Sequence, residues 1–135
     1  MSYYSEAADD ELIQSIIGVA IDVQSTLGVG FNEEAYRNAL CIGLEDEGLA
    51  IESEREVSLH YKGKDLGRRY ADIVVDDEVV LEVKAQRQLT EEHLRQLRTN
   101  VHFLNKSRGL LLNFGQTKLD IRRYANDQHI DKKGA

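Results

Sequence analysis

Hydrophobic residues recur every three or four positions in the first third of the chain, which is the spacing of one helix face. The first such stripe predicts a helix that Asp9 or Asp10 caps and Gly28 ends. Its apolar members are Leu12, Ile16, Val19, Ala20, Val23 and Leu27. The second stripe predicts a helix that Asn32 caps and Gly48 ends.

The spacing changes to two from Ile51, and this alternation to Tyr61 predicts a strand near a sheet edge. A third helix is predicted after Thr90, which suits an N-cap. Four more strands are predicted, at residues 66–75, 79–85, 109–114 and 118–124. The order α-α-β-β-β-α-β-β predicts one α/β domain with a mixed β-sheet flanked by helices. We expect a loose leader at 1–8, the folded domain at 9–124 and a polar tail at 125–135.

Composition supports a single globular domain, because 41% of the 135 residues are hydrophobic and 30% are charged. A single cysteine, Cys41, excludes an internal disulfide and an iron–sulfur cluster held by four cysteines of one chain. No apolar run is long enough to span a membrane, and the first residues lack a secretory pattern. We therefore expect a cytoplasmic protein with no membrane partner and no iron–sulfur cluster.

Charge is distributed unevenly along the chain, whose net charge is −7. Residues 1–54 carry 12 acids and one base, whereas residues 55–135 carry 16 bases and 12 acids. The overall negative charge argues against a protein that wraps nucleic acid over its whole surface. The bases instead lie in the part of the chain that also holds Asp72, Glu82 and Lys84.

Two predicted strands, at 66–75 and 79–85, carry Asp72, Glu82 and Lys84 among apolar residues. Buried charges cost free energy unless they are paired or bind a metal. Glu82 and Lys84 are two residues apart on one strand, so they point to the same face. This pattern indicates a site; the alternative is an exposed edge hairpin with ordinary surface charges.

The site hypothesis requires one strand register. Asp72 lies opposite Glu82 only if Val75 faces Val79 across a three-residue loop, Asp76-Asp77-Glu78. A two-residue loop would shift the register by one and send the two carboxylates to opposite faces. A regular two-residue turn would therefore exclude the site.

Asp72 and Glu82, with the main-chain carbonyl of Val83, form an oxygen donor set of the kind that suits Mg²⁺ or Mn²⁺. Such a cation lowers the pKa of a bound water and offsets charge on a phosphate. Lys84 is placed to orient that water or to offset developing negative charge. The three side chains together predict metal-dependent hydrolysis of phosphodiesters.

The combination of Asp72 with Glu82-Val83-Lys84, in an α-β-β-β-α-β order, resembles the PD-(D/E)XK nuclease superfamily. The string Gly30-Phe31-Asn32-Glu33-Glu34-Ala35-Tyr36 is similar to the signature of its GxxExxY proteins, and Gly109–Gly115 resembles their strand after the third helix. The resemblance implies a restriction-endonuclease-like core and a magnesium-dependent nuclease acting on DNA. It implies that Glu33 completes the metal site and that Gln96 lies near it, although Asn100 stands where related nucleases carry a tyrosine.

Basic residues around the hairpin are candidates for contact with a nucleic-acid backbone. They are Lys62, Lys64, Arg68, Arg69 and Arg87. So small a nuclease is expected to act as a homodimer that presents two sites to a duplex. Two other hypotheses remain open: a non-catalytic nucleic-acid- or protein-binding module that retains the fold, and a junction resolvase.

Overall fold

The computed structural model describes residues 3–129, and within them the element order is the predicted one. The helices are α1 (Glu11–Leu27), α2 (Glu33–Asp46) and α3 (Glu91–Phe103). The strands are β1 (Ile51–Tyr61), β2 (Lys64–Val75), β3 (Val79–Lys84), β4 (Arg108–Asn113) and β5 (Asp120–Ala125). None of the helices in this part of the chain has the length and apolar character needed to cross a membrane.

Each helix begins at a side chain that accepts a backbone hydrogen bond from its first turn. Asp10 Oδ1 accepts from Ile13 N at 3.1 Å, and Asn32 Oδ1 accepts from Ala35 N at 3.0 Å. At α3 the hydroxyl of Thr90 accepts from the backbone N–H of His93, while the Thr90 backbone N–H donates to His93 Nδ1. These caps fix the N-termini of α2 and α3 beside the sheet.

One five-stranded sheet, in the order β1-β2-β3-β4-β5, separates two layers of helices. Strands β3 and β4 run parallel and are connected along the chain by α3. All other neighbouring strands are antiparallel. Helices α1 and α2 cover one face over a core that includes Ile73, Leu81 and Leu112. Helix α3 covers the other face over a core that includes Val74, Val80 and Leu111. The prediction of a mixed sheet flanked by helices is confirmed.

The β2–β3 loop has the three residues that the site hypothesis requires. Val75 pairs with Val79 and Ile73 pairs with Leu81, which places Asp72 at the level of Glu82. Asp76 and Asp77 adopt left-handed backbone conformations, with φ of 51° and 54°. Aspartate tolerates this region better than most residues do, so the acidic pair suits the loop. The predicted register is confirmed.

Strands β1 and β2 extend past the rest of the sheet as a two-stranded arm, because the β2–β3 pairing is limited to residues 73–75 of β2. We define the arm as residues 56–70. Its turn is Lys62-Gly63, both with positive φ, and Lys64 already belongs to β2. One face of the arm packs towards α3 through Val57, which is buried.

The N-terminal segment is attached to the sheet edge in this structure. Residues 6–8 form a short 3₁₀ turn, and the Tyr3 ring packs edge-on against Tyr124 of β5. The Asp9 carboxylate accepts hydrogen bonds from two Arg123 nitrogens, at 2.8 Å from Nη2 and 2.9 Å from Nε. Of the tail proposed at 125–135, Ala125 is the last residue of β5 and residues 130–135 lie outside the described part.

The Asp9–Arg123 pair predicts a large loss of stability on Asp9→Ala. Both side chains are nearly buried, with exposures of 6% and 13%, so the variant leaves a charged guanidinium without its partner. Removing one member of a buried pair costs about 3 kcal/mol. Chemical denaturation measures this loss, and Glu92→Ala in the exposed Arg95–Glu92 pair serves as the matched control. The control is expected to change stability by about 0.5 kcal/mol or less, and equal losses in both variants would contradict the assignment.

Candidate active site

Asp72 and Glu82 lie where strands β2 and β3 separate, and each carboxylate replaces a missing ladder hydrogen bond. The backbone N–H of Asp72 donates to Glu82 Oε2 at 2.9 Å. The backbone N–H of Val83 donates to Asp72 Oδ2 at 2.7 Å. The two side chains are therefore held in a reciprocal bridge that fixes both against the main chain. This geometry brings the two predicted carboxylates together.

The bridge places two acidic groups in a partly dehydrated position. Burial, followed by the nearby Asp72 carboxylate, raises the pKa of Glu82 to about 8. Burial also raises the pKa of Asp72, although the Val83 N–H and the positive charges of Lys84 and Arg37 oppose that shift. Two adjacent carboxylates whose pKa values are both raised form a site that a positive charge would stabilise.

Asn100 on α3 is fully buried and hydrogen-bonds to the pair from the opposite layer. Its Nδ2 donates to Glu82 Oε1 at 3.0 Å, while its Oδ1 has no hydrogen-bond partner within residues 3–129. Rotation of the amide by half a turn would present Oδ1 instead, which accepts a hydrogen bond from a protonated Glu82. Asn100 is thus able to satisfy Glu82 in either protonation state.

Three basic side chains lie near the Asp72–Glu82 carboxylate pair. Lys84 lowers the pKa of both carboxyls, yet its ammonium forms no ion pair with a carboxylate of the described chain. Arg37 of α2 lies 4.0 Å from Asp72 Oδ1 and 3.3 Å from Glu54. Arg69 of β2 is close enough to lower the pKa of Glu82. Within residues 3–129, Lys84 and Arg69 are therefore the cations near the pair that form no ion pair.

Glu33, expected from the resemblance to complete the site, lies at the start of α2. It is near enough to Asp72 to raise the pKa of that carboxyl, and its Oε1 accepts a hydrogen bond from Gln86 Nε2 at 3.2 Å. Across residues 3–129, no three His, Cys, Asp or Glu side chains are gathered closely enough to hold a metal ion. The expected convergence of Asp72, Glu82 and Glu33 is therefore not present in this structure, in which Gln86 engages Glu33.

The loop after β3 carries Gln86 and is fixed by the end of β4. Asn113, fully buried, accepts from Gln86 N at 2.9 Å and donates to Gln86 O at 2.9 Å. Gly115 lies against the same peptide, since a Cβ on it would stand 2.1 Å from Gln86 O. The β4 end thus sets the position of the residue that holds Glu33.

This contact predicts that Gly115→Ala disrupts the loop and destabilises the fold. Backbone atoms cannot be displaced as easily as a flexible side chain, so the cost is expected to be about 2 kcal/mol or more. Gly18→Ala is the matched control, because nothing lies within 4 Å of its added Cβ and it is inside α1. The control is expected to stabilise by roughly 0.5–1 kcal/mol. Thermal unfolding measures both, and an unchanged melting temperature for Gly115→Ala would contradict the contact.

The remaining predicted residues are distributed around this centre. Gln96 is half-buried on α3, one turn before Asn100, and among the described contacts it makes no hydrogen bond to either carboxylate. Val83 lies in the β3–β4 ladder opposite Leu112. The five basic candidates differ in exposure. Arg69 is half-buried near Glu82. The other four are exposed, namely Lys62, Lys64, Arg68 and Arg87.

Two residues at the site were not singled out from the sequence. Arg37 is the sole base among the first 54 residues, a signal that would have marked it in so acidic a segment. Gln86 follows Lys84 by two residues, and only the loop geometry reveals its bond to Glu33. Asn100 was noted as a substitute for a tyrosine, and the structure gives it a direct bond to Glu82.

The residues present fit a divalent cation in the chemistry of their donors. Asp72 and Glu82 supply hard carboxylate oxygens, which Mg²⁺ and Mn²⁺ prefer. Each uses one oxygen for a backbone N–H, so Asp72 Oδ1 and the second lone pair of Glu82 Oε1 remain for a ligand. The raised pKa values of the pair give the same indication, because a cation would favour both charged forms.

The chain matches a known protein family over most of its length. A family model described as the PD-(D/E)XK nuclease superfamily matches residues 10–124. No curated protein and no solved structure matches the chain. The matched region spans every helix from α1 to α3 and holds the Asp72–Glu82 bridge and Lys84. On this basis, the chain belongs to the PD-(D/E)XK nuclease superfamily.

Proposed function

We propose that this protein hydrolyses phosphodiester bonds of DNA in a reaction that depends on Mg²⁺ or Mn²⁺. The observation that carries the proposal is the reciprocal Asp72–Glu82 bridge with the unpaired Lys84 beside it. Asp72, Glu82 and the Val83 carbonyl would hold the cation, with Glu33 joining them on release from Gln86. A bound divalent cation supplies an activated water and charge stabilisation on the phosphate.

The chain's own residues have separate roles in this proposal. Lys84 brings a positive charge to the side of the pair where a scissile phosphate would develop negative charge. Asn100 and the two backbone N–H groups hold the carboxylates in place. Arg37 limits the repulsion between Asp72 and Glu33, since its guanidinium lies 4.0 Å from Asp72 Oδ1 and it follows Glu33 by one turn of α2. Gln96, without a bond to the pair, is proposed to contact the substrate.

We also propose that the chain belongs to the GxxExxY group and acts in the cytoplasm as a homodimer. The Gly30–Tyr36 string also makes contacts that support the fold. The Tyr36 hydroxyl donates to Gly28 O at 2.5 Å and its ring stacks on Phe114, with centroids 4.8 Å apart. These contacts hold the start of α2, and with it Glu33, against the end of β4.

A second candidate function is a binding module that retains the nuclease fold without activity. The absence of a three-carboxylate cluster among residues 3–129 favours it. Cleavage of end-labelled single-stranded, duplex and branched DNA, with Mg²⁺, Mn²⁺ or EDTA, separates the two. The nuclease proposal expects metal-dependent products that EDTA abolishes. Binding of DNA without any cleavage under the metal conditions would favour the module.

A further inference from the structure

Exposed aromatic and basic side chains lie together on the outer face of the arm. Tyr70 is 55% exposed, and Arg68, two residues earlier on β2, is exposed on the same face. Their cross-strand partners on β1 are Glu56 and Ser58, both polar, so this face is not part of a core. Residue 70 precedes Asp72 by two positions, a separation of about 7 Å along a strand. The face therefore leads directly to the carboxylate pair.

The arm carries a net positive charge, although the chain as a whole is acidic. Residues 56–70 carry four bases and two acids, whereas the whole chain has a net charge of −7. Two of the bases, Lys62 and Lys64, are at the exposed tip, where the Lys62 ammonium lies 5.2 Å from the centroid of the Tyr61 ring. An anionic polymer that approaches the site is therefore attracted to the arm.

We infer that the outer face of the arm binds single-stranded nucleic acid, with an unpaired base stacked on Tyr70 and the adjoining phosphate on Arg68. This inference rests on the proposed nuclease function and specifies its substrate class. A tyrosine face stacks on any unpaired base, whereas the bases of an intact duplex stack on one another and do not present a free face. The arm thus selects an open strand or a frayed end and directs its backbone to Asp72.

Glu56 restrains this surface. Its carboxylate lies 3.7 Å from Arg68 Nε and opposite Tyr70, so in the free protein Arg68 is already partly engaged. Replacing Glu56 with a neutral residue is expected to strengthen nucleic-acid binding. Arg68 would then not have to break its ion pair with Glu56 before it contacts a phosphate. This is a gain of affinity that a purely structural role for the arm would not produce.

The test measures binding of a fluorescent 15-nucleotide oligothymidylate to the full chain in EDTA, so that cleavage does not enter. Tyr70→Ala is expected to weaken binding about tenfold, which is the scale of one lost base stack, and Tyr70→Phe to remain within twofold of wild type. Glu56→Gln is expected to strengthen binding about threefold. Ile42→Ala, which removes an exposed apolar side chain from α2, is the control and is expected to bind as wild type does.

Unchanged oligothymidylate binding by Tyr70→Ala would overturn the inference, even if the protein proves to be a nuclease. Equal loss of single-strand and blunt-duplex binding would also overturn it, because the surface would not select unpaired bases. Light scattering on the same samples identifies the rival occupant, a second copy of the chain: conversion of a dimer to a monomer by Tyr70→Ala would overturn the inference as well. Selective loss of binding in a protein that cuts no nucleic acid would support the arm and reject the nuclease.

Discussion

Asp72→Asn is expected to reduce metal-dependent DNA cleavage at least a thousandfold, which corresponds to about 4 kcal/mol of transition-state stabilisation. The asparagine oxygen still accepts the hydrogen bond from Val83 N, so the local backbone is preserved. The variant loses the negative charge at the atom that faces Arg37 and the proposed cation position. Loss of activity without loss of structure would therefore report on the chemistry of the carboxylate.

Initial rates of cleavage measure this effect, together with circular dichroism to confirm folding. The matched control is Asp22→Asn, an identical change at an exposed position of α1, for which we expect wild-type rates. Cleavage by Asp72→Asn at more than a tenth of the wild-type rate would remove Asp72 from the site.

Glu82→Gln is expected to stabilise the protein at neutral pH while it abolishes cleavage. The folded-state pKa of Glu82 is raised to about 8, so the folded chain binds this proton more tightly than the unfolded chain does. Stability is then highest below the unfolded pKa of about 4.3 and falls as the pH rises towards 8. An amide carries no charge at any of these pH values and escapes this loss. Asn100, by turning its unpaired Oδ1 to the new amide, satisfies the added N–H group.

Melting temperatures of the wild type and Glu82→Gln between pH 5 and pH 8 test this prediction. One pKa unit corresponds to about 1.4 kcal/mol, and 1 kcal/mol shifts the melting temperature of a domain of this size by about 4 °C. We therefore expect the variant to melt at least about 5 °C above the wild type at pH 8 and to approach it at pH 5. A variant that melts below the wild type at pH 8 would show that charged Glu82 stabilises the fold.

Much of the fold could be predicted from the sequence, because helix caps and the spacing of apolar residues indicate the same elements. The caps at Asp10, Asn32 and Thr90 each precede an apolar stripe, and the structure uses all three. The β2–β3 register also followed, because a two-residue loop would have turned Asp72 away from Glu82. These features depend on residues close in sequence or on one strand pairing.

The contacts between the helices and the sheet could not be predicted from the sequence, since no local pattern fixes how a helix lies over a sheet. Gln96 was expected near the carboxylates, yet α3 presents Asn100, one turn later, to Glu82. Glu33 was expected on the pair, and Gln86 from the loop after β3 holds it instead. The exposed ring of Tyr70 was also missed. Its exposure depends on how far β1 and β2 extend beyond β3, which composition does not reveal.

The most direct test of the proposed site compares Lys84→Ala with the wild type in one assay. Lys84 is not proposed as a metal ligand, so we expect both proteins to bind Mn²⁺ with similar affinity by calorimetry. We expect the wild type to cut DNA with Mn²⁺ and Lys84→Ala to cut at least a hundredfold more slowly, since a charge that stabilises the reacting phosphate is gone. Equal cleavage rates for the two proteins would contradict the assignment of the Asp72–Glu82–Lys84 centre as a nuclease active site.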